Sequence, residues 1–150
     1  MIQRKTHSAK ETYALGKIFS KSLIVGDVVV LRGPLGVGKT TFIKGILGGF
    51  GIKNRDILSP SFILIREYKK KGITINHIDL YRIKTKKELL SLGYNDYFYA
   101  PQAITLIEWG ERIKHMLDKF IKVDIAFLNF NSRKIKLSLR GYPKNKLKIM

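Results

Sequence analysis

The chain contains no cysteine, four prolines, one tryptophan and only 11 acidic residues against 29 lysines and arginines. Without cysteine there is no disulfide framework, no zinc knuckle and no thiol nucleophile. No apolar run approaches the roughly 18–20 residues needed to span a bilayer. Met1-Ile2-Gln3-Arg4-Lys5-Thr6-His7 lacks the apolar stretch of a secretory signal, so a cytoplasmic location is expected. No internal repeat or low-complexity linker interrupts the chain.

What is present is enough for a core. The 150 residues are 45% hydrophobic, which excludes a disordered basic tail protein. At this length one domain is expected, and folding hides about two-thirds of the unfolded surface. The domain is expected over residues 1–142, with a basic, frayed tail at 143–150. The formal charge is +18 and the pI about 10.2. Such a balance points to a nucleic-acid partner. However, 21 of the 29 cations are lysine, which lacks the planar fork that base edges reward. With isoleucine also abundant, a general compositional bias explains the charge equally well.

Apolar spacing and a Ser8–Glu11 capping pattern predict a helix over Ser8 to Lys21. Val28-Val29-Val30-Leu31 is continuously apolar, as in a strand buried on both faces. A helix over Lys39 to Phe50 follows a glycine-rich loop. Strands are expected over Ser61 to Tyr68 and Ile73 to Asp79, joined as a hairpin by Lys69-Lys70-Lys71-Gly72. Thr85-Lys86-Lys87-Glu88 opens a short helix that stops at Gly93. Ala103 to Glu108 reads as a strand, Glu111 to Lys119 as a helix, and Lys122 to Phe130 with Arg133 to Leu139 as two final strands. The expected class is α/β: a single domain with a mixed central sheet, helices on both faces and an antiparallel pair at the C-terminal end.

Gly33-Pro34-Leu35-Gly36-Val37-Gly38-Lys39-Thr40 matches G-x-x-x-x-G-K-[ST] in full, and Thr41 follows it. Glycines let backbone N–H groups turn inward around phosphates. The helix beginning at Lys39 aims its positive dipole end at the same anion. Lys39 reaches the terminal phosphates and the Thr40 hydroxyl serves Mg2+. The strand-type run before it and the helical pattern after it supply the context this motif requires, so the α/β domain is expected to be P-loop NTPase-like.

Such a loop also needs a carboxylate at a strand end for Mg2+ or its water shell. Asp79 and Glu108 both stand there. Asp79 also reads as an ordinary turn residue, and Glu108 as a partner for Arg112. A small-molecule kinase is the weaker reading, because no arginine-rich lid follows the central strands. Large ring motors are longer. A nucleotide-gated RNA-binding module remains an alternative, motivated by Arg133 to Lys148, which carries seven basic residues and no acid.

Further blocks narrow the choice: Ser59-Pro60-Ser61-Phe62, His77-Ile78-Asp79-Leu80-Tyr81-Arg82 and Ile107-Glu108-Trp109-Gly110-Glu111-Arg112. With the phosphate loop they make the chain, over about Thr12 to Arg140, similar to the TsaE family of bacterial tRNA threonylcarbamoyladenosine biosynthesis. The resemblance implies an ATPase that is weak alone and acts with TsaB and TsaD, tRNA being met through that complex or directly through the basic surface. It implies ATP and Mg2+ as cofactors, with Thr40 and Glu108 as metal ligands and Lys39 on the phosphates. Asp79 would be the catalytic carboxylate that orients or deprotonates the attacking water. Ser59 and Ser61 would belong to a switch-like loop that senses the γ-phosphate, and Trp109 would pack beside the site. The adenine would lie near Ser8 and Arg133. His77 reads as a buried core histidine, without assigned chemistry.

Overall fold

In the computed structural model, which describes residues 1–58, 64–91, 93–113 and 115–147, the run Val28–Leu31 lies at the centre of one mixed sheet. Its strands are β1 (Ile2–Thr6), β2 (Val28–Arg32), β3 (Ile65–Lys70), β4 (Ile73–Asp79), β5 (Ala103–Glu108), β6 (Phe120–Phe127) and β7 (Arg133–Arg140). They are ordered β1-β7-β6-β2-β5-β4-β3. The central pairs β6–β2, β2–β5 and β5–β4 are parallel; β1–β7, β6–β7 and β3–β4 are antiparallel.

Continuous apolarity in β2 has a direct cause. Val29 and Leu31 enter one core with Phe19, Phe42 and Ile46, while Val28 and Val30 enter a second with Leu89, Phe98 and Ile113. Successive side chains point to opposite faces, so a strand covered twice has no polar face. The first core is roofed by α1 (Ala9–Phe19) and α2 (Lys39–Gly49), the second by α3 (Lys86–Ser91) and α4 (Asn95–Phe98). The roofing helices α1 and α2 touch backbone to backbone. A Cβ on Gly45 would stand 2.1 Å from the Tyr13 carbonyl oxygen, and one on Gly16 would stand 2.2 Å from that of Phe42.

Both capping patterns form. The Ser8 Oγ accepts from the Glu11 amide at 3.1 Å, and the Thr85 Oγ1 accepts from the Glu88 amide at 3.2 Å. Glu88 in turn accepts the Lys84 and Thr85 amides, which hold its carboxyl below the usual range. The β3–β4 hairpin turns at Lys71 and Gly72, both with positive φ.

Three expectations are corrected. Ile2–Thr6, to which no element was assigned, pairs with β7 as an edge strand. The helix expected over Glu111 to Lys119 does not form among the described residues: a 3-10 turn covers Gly110–Arg112, and the described residues beyond it bury Ile113 and Leu117 in turns and irregular chain rather than an α-helix. Fraying after residue 142 is corrected as far as Leu147. A 3-10 turn covers Lys144–Leu147, Leu147 is buried, and the Lys146 ammonium lies 2.7 Å from the buried Asp27 carboxylate. Asp27 also accepts the Tyr142 hydroxyl at 2.9 Å. Burial and that carboxylate push the Tyr142 phenol well above its ordinary value. Leu147→Ala is therefore expected to cost about 2 kcal/mol, the low end for a buried leucine near a chain end. Thermal unfolding followed by circular dichroism checks this; a melting temperature equal to wild type would restore the frayed tail. The start of the strand expected from Ser61 lies outside the described residues, and the observed strand begins at Ile65.

Candidate functional site

The phosphate loop leaves the end of β2 and enters α2. Gly33 is required by a close approach: a Cβ there would stand 2.2 Å from the Ile125 carbonyl oxygen of β6. Gly38, the N-cap of α2, has φ 110°, a conformation that L side chains rarely adopt. These constraints turn the loop back so that the amide end of α2 faces a cavity of about 360 Å³, lined among others by Lys39, Thr40, Asp79, Arg82, Glu108 and Trp109.

Lys39 is buried. Its Nζ donates to the Gly33 and Pro34 carbonyls at 2.8 and 2.9 Å and sits 3.8 Å from the centre of the Trp109 ring. Burial lowers the Lys39 pKa, opposed by the charges of Glu108, Glu111 and Asp79. Three of the chain's few acids thus surround one lysine, in a protein that is otherwise strongly basic.

Two of those acids are placed by strand register. Because β4 and β5 are parallel, Asp79 and Glu108 are direct partners at their carboxyl ends, where ligands of open α/β sheets gather. The Thr40 hydroxyl donates to the Glu108 carboxylate, 3.0 Å from Oε1 and 2.9 Å from Oε2. Asp79 accepts the Tyr81 amide at 2.9 Å. Trp109 follows with φ 61°, unusual for a bulky side chain. The next residue has to be glycine, since a Cβ on Gly110 would stand 2.0 Å from Val30 Cγ1. This turn carries the indole over Lys39 and against Tyr81, ring centres 5.1 Å apart.

The sequence alone left His77 without a role, and the structure brings it into the site. Two residues before Asp79 and on the same face of β4, it is fully buried, with Nε2 2.9 Å from Glu108 Oε1. A carboxylate has no proton to give, so Nε2 donates. The other ring nitrogen, Nδ1, is buried and has no partner among the described residues. The signal was available: in H-x-D the histidine shares a face with the acid. Glu108 also pairs with Thr40 and His77 rather than with Arg112, whose guanidinium donates to the Ile83 carbonyl.

Ser8 and Arg133 come together beside the loop, lining with Thr12, Gly36 and Thr41 a pocket of about 120 Å³. The Arg133 Nε donates to the Val37 carbonyl at 2.9 Å, tying β7 to the phosphate loop. A wider cleft of about 1010 Å³ adjoins it, bordered by His7, Phe127 and Phe130. Ser59 and Ser61 lie outside the described residues. No helix among the described residues is long and apolar enough to cross a membrane.

The family model "Threonylcarbamoyl adenosine biosynthesis protein TsaE" matches residues 6–135. The tRNA threonylcarbamoyladenosine biosynthesis protein TsaE of Rickettsia typhi is 41% identical over 128 residues, which cover 85% of this chain and 88% of that protein. The Bacillus subtilis protein of the same name is 39% identical over 116 residues, covering 77% and 71%. Among solved structures, Bacillus subtilis YdiB superimposes with a TM-score of 0.79 at 30% identity, covering 99% of this chain and 89% of that one. A phosphate loop on a mixed seven-stranded sheet, a family match over nearly the whole chain and relatives of this similarity place the chain in the TsaE family of tRNA threonylcarbamoyladenosine biosynthesis.

Proposed function

We propose that the protein is the Mg2+-dependent, ATP-binding and ATP-hydrolysing subunit of that biosynthesis, working with TsaB and TsaD in the threonylcarbamoylation of the adenosine beside the tRNA anticodon. The observation that carries this reading is the bond from the Thr40 hydroxyl to the Glu108 carboxylate. It joins the phosphate-loop threonine to a strand-end acid, the two oxygen donors a nucleotide-bound Mg2+ requires.

The donor set fits that ion. Among the described residues no group of three or more His, Cys, Asp or Glu could hold a metal by itself. Mg2+ does not ask for one: it retains several waters and takes one or two carboxylates together with phosphate oxygens. Thr40 and Glu108 would hold it, with Asp79 alongside. When bound, it neutralises charge developing on the phosphates.

The chain's own residues do the rest. The inward amides of Gly36 to Thr41 and the α2 dipole receive the phosphates. The Lys39 ammonium exchanges its two loop carbonyls for phosphate oxygens, which compete for it because they carry charge. Asp79, held by the Tyr81 amide, orients the attacking water and accepts its proton. The nucleoside end goes to the cleft between Ser8 and Arg133, where Phe127 and Phe130 offer apolar surface.

The test is ATP turnover with and without TsaB and TsaD. Turnover is expected to rise with the partners and to vanish when Mg2+ is chelated. Turnover indifferent to both partners and metal overturns the reading.

A further inference from the structure

The antiparallel wing of the sheet has one covered and one open face. On β7, Ile135 and Leu137 are fully buried, while their neighbours Lys134 and Lys136 point to the other side and stay partly exposed. Register assembles that side across four strands. Lys5 of β1 is the direct partner of Lys134, Asp124 of β6 is the partner of Lys136, and Arg32 of β2 is the partner of Asp124. Lys122 shares the face two residues before Asp124.

This face is basic beyond what its own acids neutralise. Asp124 is engaged by Arg32 at 3.5 Å and by Lys122 at 3.1 Å. Among the described residues, no ion pair engages Lys5, Lys134 or Lys136. Lys5 and Lys134 oppose each other directly, an arrangement of like charges that destabilises a sheet. Edge protection by lysine accounts for β1. It does not account for Lys134 and Lys136, because β7 is flanked by β1 and β6. Beside them runs a groove of about 520 Å³ whose lining includes Arg32 and Glu111.

We propose that this open face of β1, β7 and β6 is a binding surface for the phosphate backbone of RNA. Lys134 and Lys136 stand about 7 Å apart along the strand, with Lys5 about 5 Å across from Lys134. That cluster repels itself until a polyanion lies over it. Lysine suits the task because backbone binding needs point charge rather than base readout. An acidic protein surface is the competing occupant. RNA is favoured because Lys134 and Lys136 follow the strand along an open groove, and because the family serves tRNA modification. The surface uses none of the residues assigned to ATP and stands or falls separately from the ATPase reading.

The experiment compares two variants of equal charge loss. One removes the face (Lys5, Lys134 and Lys136, each to Ser); the other removes the exposed lysines of the first helix and its end (Lys10, Lys17 and Lys21, each to Ser). Affinity for an unmodified tRNA transcript is read by fluorescence anisotropy over a salt series, beside melting temperatures. The face variant is expected to bind at least tenfold more weakly at low salt and to fold as well as wild type. Its plot of log K against log salt should flatten by about 2–3, at roughly 0.7–0.9 for each phosphate no longer neutralised. The helix variant should change affinity by less than about threefold. Equal losses in the two variants, no loss in the face variant, or no tRNA binding by the wild type each overturns the proposal. So does a loss seen with poly-glutamate and not with tRNA. Because both lysine sets leave Lys39 and Glu108 untouched, ATP turnover should persist in both; a failure of turnover in the wild type leaves the tRNA result readable.

Discussion

Lys39→Ala is expected to lower ATP turnover by about 10²–10³-fold, the usual consequence of deleting one preorganised donor to developing charge. The ammonium is held over the Trp109 ring and against two loop carbonyls, so its position is set before nucleotide arrives. That placement is costly, because a buried cation is partly desolvated, and this outweighs the nearby acids so that the Lys39 pKa is lowered. A lysine whose folded pKa lies below its unfolded value penalises the fold while both states are protonated. The penalty fades as pH rises from the folded pKa through the unfolded one. Lys39→Met, which keeps most of the stem, is therefore expected to be at least as stable as wild type at neutral pH while equally inactive. Steady-state turnover together with thermal melts separates the two effects. An inactive but clearly less stable Lys39→Met would assign the lysine to structure; retained turnover in either variant would remove it from the reaction.

What was legible in the sequence divides along physical lines. The phosphate loop, β2, β4 and β5 were readable because each demands a restricted residue type: glycine where the chain needs positive φ or close approach, and unbroken aliphatics where both faces are covered. The capping boxes were readable because their bonds are local, as the Ser8–Glu11 and Thr85–Glu88 bonds show. Failures arose where structure depends on distant partners. Ile2–Thr6 carries two cations and buries essentially only Thr6; its strand state comes from pairing with β7, near the other end of the chain. The stretch after Glu111 has apolar residues at Ile113, Met116, Leu117 and Phe120, a helical spacing. Yet Ile113 and Leu117 are anchored in the core that holds Val30 and Ile107, and the left-handed Trp109 sets the entry to the segment. The end of the chain looked frayed because it is lysine-rich, but the decisive partner of Lys146 is Asp27, in the first fifth of the sequence. For the candidate site, residue types nominated Lys39, Thr40, Asp79 and Glu108, which the structure brings to one cavity. The register that makes Asp79 and Glu108 neighbours, and the burial that turns His77 toward Glu108, required the sheet.

Glu108→Gln is expected to cost turnover about as much as the lysine, roughly 10²–10³-fold, and to weaken metal binding in a way that Asp79→Asn does not. Gln keeps the shape and can still accept from Thr40, but it carries no charge to offer a divalent cation. Asp79→Asn should instead leave Mn2+ and nucleotide affinity within a few-fold and reduce kcat, because the part proposed for that residue is to orient water and take a proton. His77 provides the finer discrimination. Its Nε2 donor meets the same Oε1 that Thr40 approaches, so it fixes the rotation of the Glu108 carboxylate and leaves Oε2 aimed at the Thr40 side. On the proposed reading His77 is a positioning residue, acting through the Glu108 carboxylate it contacts. Removing an outer partner of a metal-binding carboxylate typically costs about 10–100-fold in metal affinity or activity, and His77→Leu is expected to fall in that range. His77→Gln, which restores an N–H donor, should recover a substantial part. Mn2+ binding measured by electron paramagnetic resonance with ADP present, beside melting temperatures, decides the matter. A purely structural histidine would lower stability in both variants and leave the Mn2+ affinity of the folded fraction unchanged; a positioning histidine weakens Mn2+ in the leucine variant and regains it in the glutamine one.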